Sequence, residues 1–93
     1  MDIKEFANEC DVVIFGIEEC KYCKSAKEFM STTSDSYVYV DIGSTPDLKN
    51  NLKKLNDVTT VPIIYKRYGT EYCFIGGYTE LCSVYATELD FYW

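Results

Sequence analysis

Cys20-Lys21-Tyr22-Cys23 is the stretch on which the fold and the chemistry of this chain depend. It follows an apolar run, residues 12–15, and opens a helix-like segment, residues 24–30. The unpaired backbone amides and the dipole at the start of a helix favour a negatively charged sulfur there. Cys20 is therefore the candidate nucleophile. Cys23, one turn further along, is expected to be more buried and to attack a mixed disulfide formed on Cys20.

A Cys-x-x-Cys is also half of a structural zinc site, and this alternative has to be weighed. A structural zinc site is tetrahedral and needs four ligands. The chain contains no histidine and no second Cys-x-x-Cys. The pattern therefore favours redox chemistry, and no metal is expected.

The composition predicts one packed domain that spans residues 1–93. Hydrophobic residues make up 47% of the chain and aromatic residues 16%, which is enough for a core without disulfide staples. Five cysteines cannot all pair within one chain. Both facts favour a catalytic rather than a structural role for the thiols.

The charge balance bears on partners and location. Nine lysine and arginine residues against fifteen aspartate and glutamate residues give a net charge of −6. This argues against nucleic acid or an anionic membrane as a partner and favours neutral or basic proteins. The N-terminus lacks a basic n-region, and the longest apolar run, residues 12–17, is far too short for a membrane span. We expect a soluble, cytoplasmic monomer.

Hydrophobic periodicity predicts the element order α, βα, βα, ββ, α. The first two strands, near residues 12–15 and 37–42, should be parallel because a helix crosses between them. Ser44 or Thr45 is the expected cap of the next helix. Residues 61–66 and 71–75 predict a hairpin, and Thr79 is the expected N-cap of the last helix.

Three motifs in this order resemble a glutaredoxin over nearly the whole chain. They are the Cys-x-x-Cys between the first strand and its helix, Thr60-Val61-Pro62 at the start of the third strand, and residues 75–80 (IGGYTE) after the fourth. The resemblance implies an α/β, thioredoxin-like fold with a four-stranded mixed sheet, ordered 2-1-3-4 and flanked by helices. The implied activity is that of a thiol–disulfide oxidoreductase, in which Cys20 attacks and Cys23 resolves.

The resemblance also implies a site for glutathione, the usual reductant of the family. The Val61-Pro62 bond is expected to be cis, which turns the Val61 backbone toward Cys20, where it can pair with an extended peptide. Thr60 belongs to the same motif, and Tyr22 matches the family tyrosine that lines the site. The remaining implied contacts are close backbone approach at Gly76 and Gly77, the γ-glutamyl carboxylate on Thr79, and its ammonium on Glu80. Thr79 and Glu80 can equally serve only the helix end.

The sequence departs from the family pattern at two cationic positions. Many glutaredoxins have a lysine three residues before the first cysteine and an arginine before Thr-Val-Pro, where this chain has Ile17 and Thr59. Lys21 and Lys49 are the candidate replacements for binding the glycyl carboxylate of glutathione. Any single lysine of this kind can also be part of a solvated face.

The remaining cysteines, Cys10, Cys73 and Cys82, are interpreted as structural, because buried thiols commonly act as small apolar groups. Cys82 follows the glycine pair closely enough to allow glutathionylation or dimer formation through its sulfur as an alternative.

Two other functions stay open at this point. Some glutaredoxins hold a [2Fe-2S] cluster between two monomers, using the first active-site cysteine and glutathione. Alternatively, the chain reduces disulfides with electrons from a partner other than glutathione. The expected clients are proteins with disulfide bonds, and ribonucleotide reductase is a usual client of the family.

Overall fold

The computed structural model describes the backbone of residues 2–91 and the side chains of residues 2–86. The elements follow the predicted order. Their bounds are α1 Ile3–Ala7, β1 Val12–Gly16, α2 Lys21–Ser31, β2 Tyr37–Asp41, α3 Pro46–Leu55, β3 Ile63–Tyr68, β4 Glu71–Gly76 and α4 Tyr78–Phe91. None of the helices in this described part is long and apolar enough to cross a membrane.

The strands form one mixed sheet in the order β2-β1-β3-β4, which confirms the expected topology. β1 pairs with β2 in parallel, with Val12 opposite Tyr37. It pairs with β3 in antiparallel fashion, with Phe15 opposite Ile63, and β3 pairs with β4 in the same way. The parallel pair follows from the α2 crossover, and the antiparallel pair from the short turn between β3 and β4.

Both faces of the sheet are covered, and this explains why every residue of β1 is buried. Val13 and Phe15 point into a core shared with α1 and α3, whereas Val12 and Ile14 point into a core shared with α2 and α4. Alternation along the strand assigns the last residue, Gly16, to the same face as Ile14. Cys20 and Cys23 follow β1 and are therefore supported by both cores.

Asp11 ties three strands together at the other end of β1. Its carboxylate accepts hydrogen bonds from the Ser36 backbone N–H at 3.0 Å and from Arg67 Nη2 at 2.8 Å. The backbone hydrogen bond from Ser36, together with Arg67, holds the pKa of this carboxyl below its ordinary value. Ser36 precedes β2 and Arg67 lies in β3. These hydrogen bonds therefore link β1, β2 and β3 at the end of the sheet opposite to the cysteines.

Three details refine or correct the sequence-based expectations. The last helix begins at Tyr78, and the Gly77 carbonyl accepts the first helical hydrogen bond from the Leu81 N–H at 3.0 Å. Gly77 is thus the N-cap, and Thr79 lies inside the first turn. Of the two residues expected to cap α3, Ser44 and Thr45, it is Thr45 that takes the position, and its side chain makes no capping hydrogen bond. Cys73 is exposed rather than buried, and it lies on β4, an edge strand of the sheet.

Candidate active site

Cys20 is the N-cap residue of α2 and has an extended backbone, with φ −86° and ψ 117°. Its Sγ accepts a hydrogen bond from the Cys23 backbone N–H at 3.3 Å. The sulfur thus takes the place that a serine or aspartate oxygen usually takes at a helix start. Negative charge on this sulfur is stabilised by the donor and by the helix dipole.

Cys23 lies directly behind Cys20 and is fully buried. Burial, and then the hydrogen bond with Cys20, raises the pKa of the Cys23 thiol to about 12. At neutral pH this thiol keeps its proton, whereas Cys20 is partly exposed to solvent. The two sulfurs therefore have different access: an outer one that a substrate can reach, and an inner one that only Cys20 or its adduct can reach.

The start of β3 forms the opposite wall of the site. The Val61-Pro62 peptide bond is cis, as expected from the resemblance. The Val61 carbonyl accepts a hydrogen bond from Cys20 Sγ at 3.7 Å. The sequence motif before β3 and the Cys-x-x-Cys before α2 are thus in direct contact, although 41 positions separate them.

A cavity of about 200 Å³ lies beside this contact. Seven of its lining residues are ones that the sequence singled out: Tyr22, Thr60, Val61, Pro62, Gly77, Thr79 and Glu80. The eighth, Tyr78, was missed. Gly76 lines an adjacent cavity of about 310 Å³ that shares Thr60 and Pro62 with the first. The structure brings these residues together, and their roles toward a ligand stay predictions.

Tyr22 and Tyr78 form a stacked pair at the edge of the cavity, with ring centroids 6.2 Å apart and an interplanar angle of 26°. Tyr22 is 57% exposed, so its ring is available to a ligand. Tyr78 stands inside the quoted motif after the glycine pair, and its aromatic character was the signal that could have identified it.

Glu80 already has a partner within the chain. Its Oε1 accepts a hydrogen bond from the Gly77 N–H at 2.7 Å, and this is the capping-box arrangement of a glutamate in the third helical position. Gly76 has φ +124°, and a Cβ there would stand 2.6 Å from Glu80 Cγ. Glycine is thus required at position 76 by the backbone and by the glutamate that folds over it.

The lysines predicted to bind glutathione do not line the cavity. Lys21 is the exposed first residue of α2, and Lys49 is a half-buried residue of α3. Two further lysines, Lys24 and Lys27, share a separate depression of about 450 Å³ with Glu18 and Glu19. Positive and negative groups therefore alternate around the start of α2.

Tyr39 and Gly16 are part of the site, although the sequence indicated no role there for either residue. The Tyr39 hydroxyl donates to the Ile17 carbonyl at 3.1 Å. A Cβ placed on Gly16 would stand 2.5 Å from Tyr39 Oη and 2.7 Å from Cys23 Sγ. The absent side chain thus makes room for the phenol and the inner sulfur. The pairing register of β1 and β2 brings these groups together, and this register cannot be determined from a single sequence.

None of the five cysteines is among the eight residues that line the cavity. Cys10 and Cys82 are partly buried, and Cys73 is exposed. Cys82 hydrogen-bonds the Tyr78 hydroxyl, and this contact raises the pKa of Tyr78. Within the described residues all five thiols are free, and no group of three or more histidine, cysteine, aspartate or glutamate residues there could hold a metal ion.

The site combines an accessible thiol at a helix N-terminus with a buried partner thiol one turn later and a cis-proline that faces them. On a sheet ordered 2-1-3-4, these features define a thiol–disulfide oxidoreductase of thioredoxin-like fold. The sequence model of the family named Glutaredoxin matches residues 12–68. Glutaredoxin 1 of Escherichia coli (strain K12) is 34% identical over 85 residues, covering 84% of this chain and 95% of that protein. The chain belongs to the glutaredoxin family.

Solved structures agree with this assignment. The holo form of glutaredoxin C1 from Populus tremula x tremuloides superposes with a TM-score of 0.73 at 26% identity, over 91% of this chain and 76% of that one. A buckwheat glutaredoxin–glutathione complex superposes with a TM-score of 0.73 at 18% identity, over 92% of this chain and 77% of that one. At this lower identity the likeness concerns the fold alone.

Proposed function

We propose that this glutaredoxin is a glutathione-dependent reductase of protein disulfides and glutathione mixed disulfides, with Cys20 as nucleophile and Cys23 as resolving thiol. One observation carries the proposal. Cys20 Sγ is held between the Cys23 N–H at 3.3 Å and the Val61 carbonyl at 3.7 Å, beside an open cavity, while Cys23 is buried behind it.

The chemistry follows from this arrangement of the two sulfurs. The Cys20 thiolate attacks one sulfur of the substrate disulfide, and the other sulfur leaves as a thiolate that takes up a proton. Cys23 then attacks the Cys20 sulfur of the mixed disulfide. A Cys20–Cys23 disulfide forms, and the bound thiol leaves with the proton that Cys23 loses. Two glutathione molecules reduce this disulfide and become glutathione disulfide.

The cavity has groups that suit a glutathionyl moiety. Glutathione is an extended peptide, and the Val61 backbone beside Cys20 can pair with it. The first turn of α4, at Thr79, presents backbone N–H groups and a hydroxyl to a carboxylate. The buckwheat relative forms a complex with glutathione, but the proposal for this chain rests on its own cavity.

The decisive experiment compares wild type with Cys23→Ser in a glutathione-coupled assay. Two substrates are used, a small glutathione mixed disulfide and a protein disulfide such as that of ribonucleotide reductase. We expect Cys23→Ser to keep activity on the first substrate and to lose it on the second, because only the second requires a resolving thiol. The control is Cys73→Ser, which removes an exposed thiol outside the cavity. Absence of wild-type activity on both substrates would contradict the proposal.

One observation favours a second candidate, a reductase that takes electrons from a partner other than glutathione. The eight residues around the cavity include no lysine or arginine, and Glu80 is among them. A tripeptide with two carboxylates therefore meets no cationic side chain in this lining. Reduction of the protein disulfide with dithiothreitol, but not with glutathione, would establish this second function.

We also propose a reducing compartment, the cytoplasm, as the place where the protein works. Five free thiols, one of them exposed on β4, support this location. A single copy contains the whole cysteine pair and its cavity, which supports a monomer.

A further inference from the structure

The resolving step, as set out in the proposed function, leaves one chemical requirement unmet. Cys23 must react as a thiolate, yet its sulfur is fully buried, and burial disfavours the charged form. The N–H of Cys23 itself points at Cys20, not at its own sulfur. A buried sulfur that has to become negative needs hydrogen-bond donors of its own.

The structure places such donors around the Cys23 sulfur. A Cβ on Gly16 would fall within 3 Å of both Cys23 Sγ and Tyr39 Oη, so these two atoms converge on the same empty space at the end of β1. Burial is the largest influence on the Cys23 thiol and raises its pKa, whereas the neighbouring Ile17 backbone and Tyr39 hydroxyl each act to lower that pKa.

While Cys23 is protonated, the Tyr39 hydroxyl has another hydrogen-bond acceptor. Its hydroxyl donates to the Ile17 carbonyl at 3.1 Å, and this carbonyl belongs to the same peptide segment that borders the sulfur. Rotation about the phenol C–O bond can turn the proton away from this carbonyl and toward the space that the Cys23 sulfur also borders.

Lys27 adds a charge above the phenol. Its Nζ lies 4.4 Å from the centroid of the Tyr39 ring, in the geometry of a cation–π contact. A cation over the ring withdraws electron density from the phenol and makes its O–H a stronger donor. Lys27 is partly buried on α2, four positions after Cys23, so the same helix carries the lysine and the inner thiol.

We propose that Tyr39, polarised by Lys27, is the hydrogen-bond donor that stabilises the Cys23 thiolate while this thiolate resolves the mixed disulfide on Cys20. In this step the Cys23–Cys20 sulfur bond forms and the bond from Cys20 to the bound thiol breaks. The departing thiolate takes up the proton that Cys23 gives up. Tyr39 keeps its own proton throughout, so no additional acid, base or oxidant is required.

The groups that face Cys23 come from three elements. Cys20 faces it from the N-cap position of α2, β1 and the residue after it contribute only the backbone of Gly16 and Ile17, and β2 contributes Tyr39. Asp41 of β2 acts on Tyr39 and, after burial and the nearby Cys23, raises the pKa of the phenol further. Among the groups of the described residues that face Cys23, Tyr39 thus supplies the one side-chain hydroxyl beside the inner sulfur.

The test measures the resolving step separately from the first attack. Reduced protein is mixed with glutathione disulfide, quenched in acid at intervals and analysed by mass spectrometry, which distinguishes the glutathione adduct from the Cys20–Cys23 disulfide. We expect Tyr39→Phe to form the adduct at the wild-type rate but to convert it about tenfold more slowly near pH 7. The pH at which conversion reaches its plateau should rise, because a higher pH is needed to ionise Cys23.

Matched controls separate this effect from a general disturbance. Tyr37→Phe removes a hydroxyl from the same strand face two positions earlier, away from Cys23, and should convert at the wild-type rate. Lys27→Met should slow conversion about twofold to fivefold, whereas Lys24→Met, on the same helix, should leave conversion unchanged. An unaltered rate in Lys27→Met would remove the lysine from the proposal.

The same experiment distinguishes failure of this inference from failure of the proposed function. If wild type forms no adduct, the glutathione-dependent function is wrong. If the adduct forms but never converts, Cys23 is not the resolving thiol. If wild type converts and Tyr39→Phe converts equally fast with an unchanged pH profile, Tyr39 has no part in the step and this inference is overturned.

Discussion

Each of the two active-site cysteines is defined by its position relative to the first turn of α2. Cys20 is outside the helix and receives a backbone donor, whereas Cys23 is inside it and points into the core. A spacing of three residues is what makes this division possible, since it is close to one helical turn. One thiol is thereby accessible and the other is kept protonated.

The buried thiol makes the stability of the reduced protein depend on pH. Unfolded Cys23 releases its proton near pH 9.0, whereas in the folded protein burial holds the proton until about pH 12. Between these values unfolding releases a proton, so stability decreases as the pH rises. Relative to Cys23→Ala, we expect wild type to lose up to about 1.4 kcal/mol of unfolding free energy per pH unit above pH 9.

Urea unfolding at pH 8, 9.5 and 10.5 under reducing conditions measures this difference. Cys73→Ala is the matched control, because its thiol is exposed in the folded protein and it should follow the wild-type curve. Parallel curves for wild type and Cys23→Ala would contradict the prediction.

Residues in short sequence motifs could be placed at the site from the sequence, and those brought there by strand register could not. The cysteine pair at the start of α2, the cis bond before Pro62 and most of the cavity lining followed from motifs. Tyr39 did not, because its neighbourhood depends on β2 lying parallel to β1 with Ile14 opposite it. Gly16 was not predictable either, because the need for a residue without a side chain becomes clear only from the nearby Tyr39 phenol and Cys23 sulfur.

At the level of elements, all eight were predicted in order and their ends were less certain. α4 begins one residue before Thr79 because Gly77 and Glu80 together form its cap. β3 begins at Ile63 rather than at Val61, since the two preceding residues turn toward Cys20 instead of continuing the ladder. The α4 difference results from a local capping box, whereas the β3 difference results from a contact between distant segments, which local propensity does not register.

The cap of α4 allows the structural and the ligand-binding roles of Glu80 to be separated. Glu80→Ala removes the acceptor for the Gly77 N–H and should cost about 0.5–1 kcal/mol of unfolding free energy. Glu80→Gln keeps an acceptor but loses the charge, so we expect near wild-type stability. If the carboxylate also binds the ammonium of glutathione, both variants should raise the KM for glutathione.

Thermal unfolding measures the stability of the two variants, and glutathione-dependent kinetics on the same preparations measure their KM for glutathione. A KM for glutathione that rises only in the alanine variant would show that Glu80 serves the helix and not the ligand.

At the scale of the whole molecule, the site lies where the two cores meet at one end of the sheet. β1 belongs to both cores, α2 and α4 both begin there, and β3 enters from the opposite direction. At the opposite end of the sheet, an ion pair between Asp11 and Arg67 links the strands. The cavity can therefore be open to solvent while its walls belong to well-packed elements.

The net charge of −6 predicts a preference among substrates. Disulfide peptides flanked by lysine should react faster than matched peptides flanked by glutamate, because long-range attraction raises the rate of encounter. We expect an advantage of about tenfold at about 0.01 M salt that largely disappears at about 1 M. Measurement of kcat/KM for the two peptides across this range tests it, and an advantage independent of salt would point to local contacts instead.

The stacked pair of Tyr22 and Tyr78 gives the protein an intrinsic optical signal. Their rings lie 6.2 Å apart at the edge of the cavity, close enough for their ultraviolet transitions to couple. A molecule that enters the cavity and displaces Tyr22 changes that coupling, and near-ultraviolet circular dichroism records the change. Occupancy of the site can thus be followed in the unmodified protein, without a dye, an isotope or a coupled enzyme.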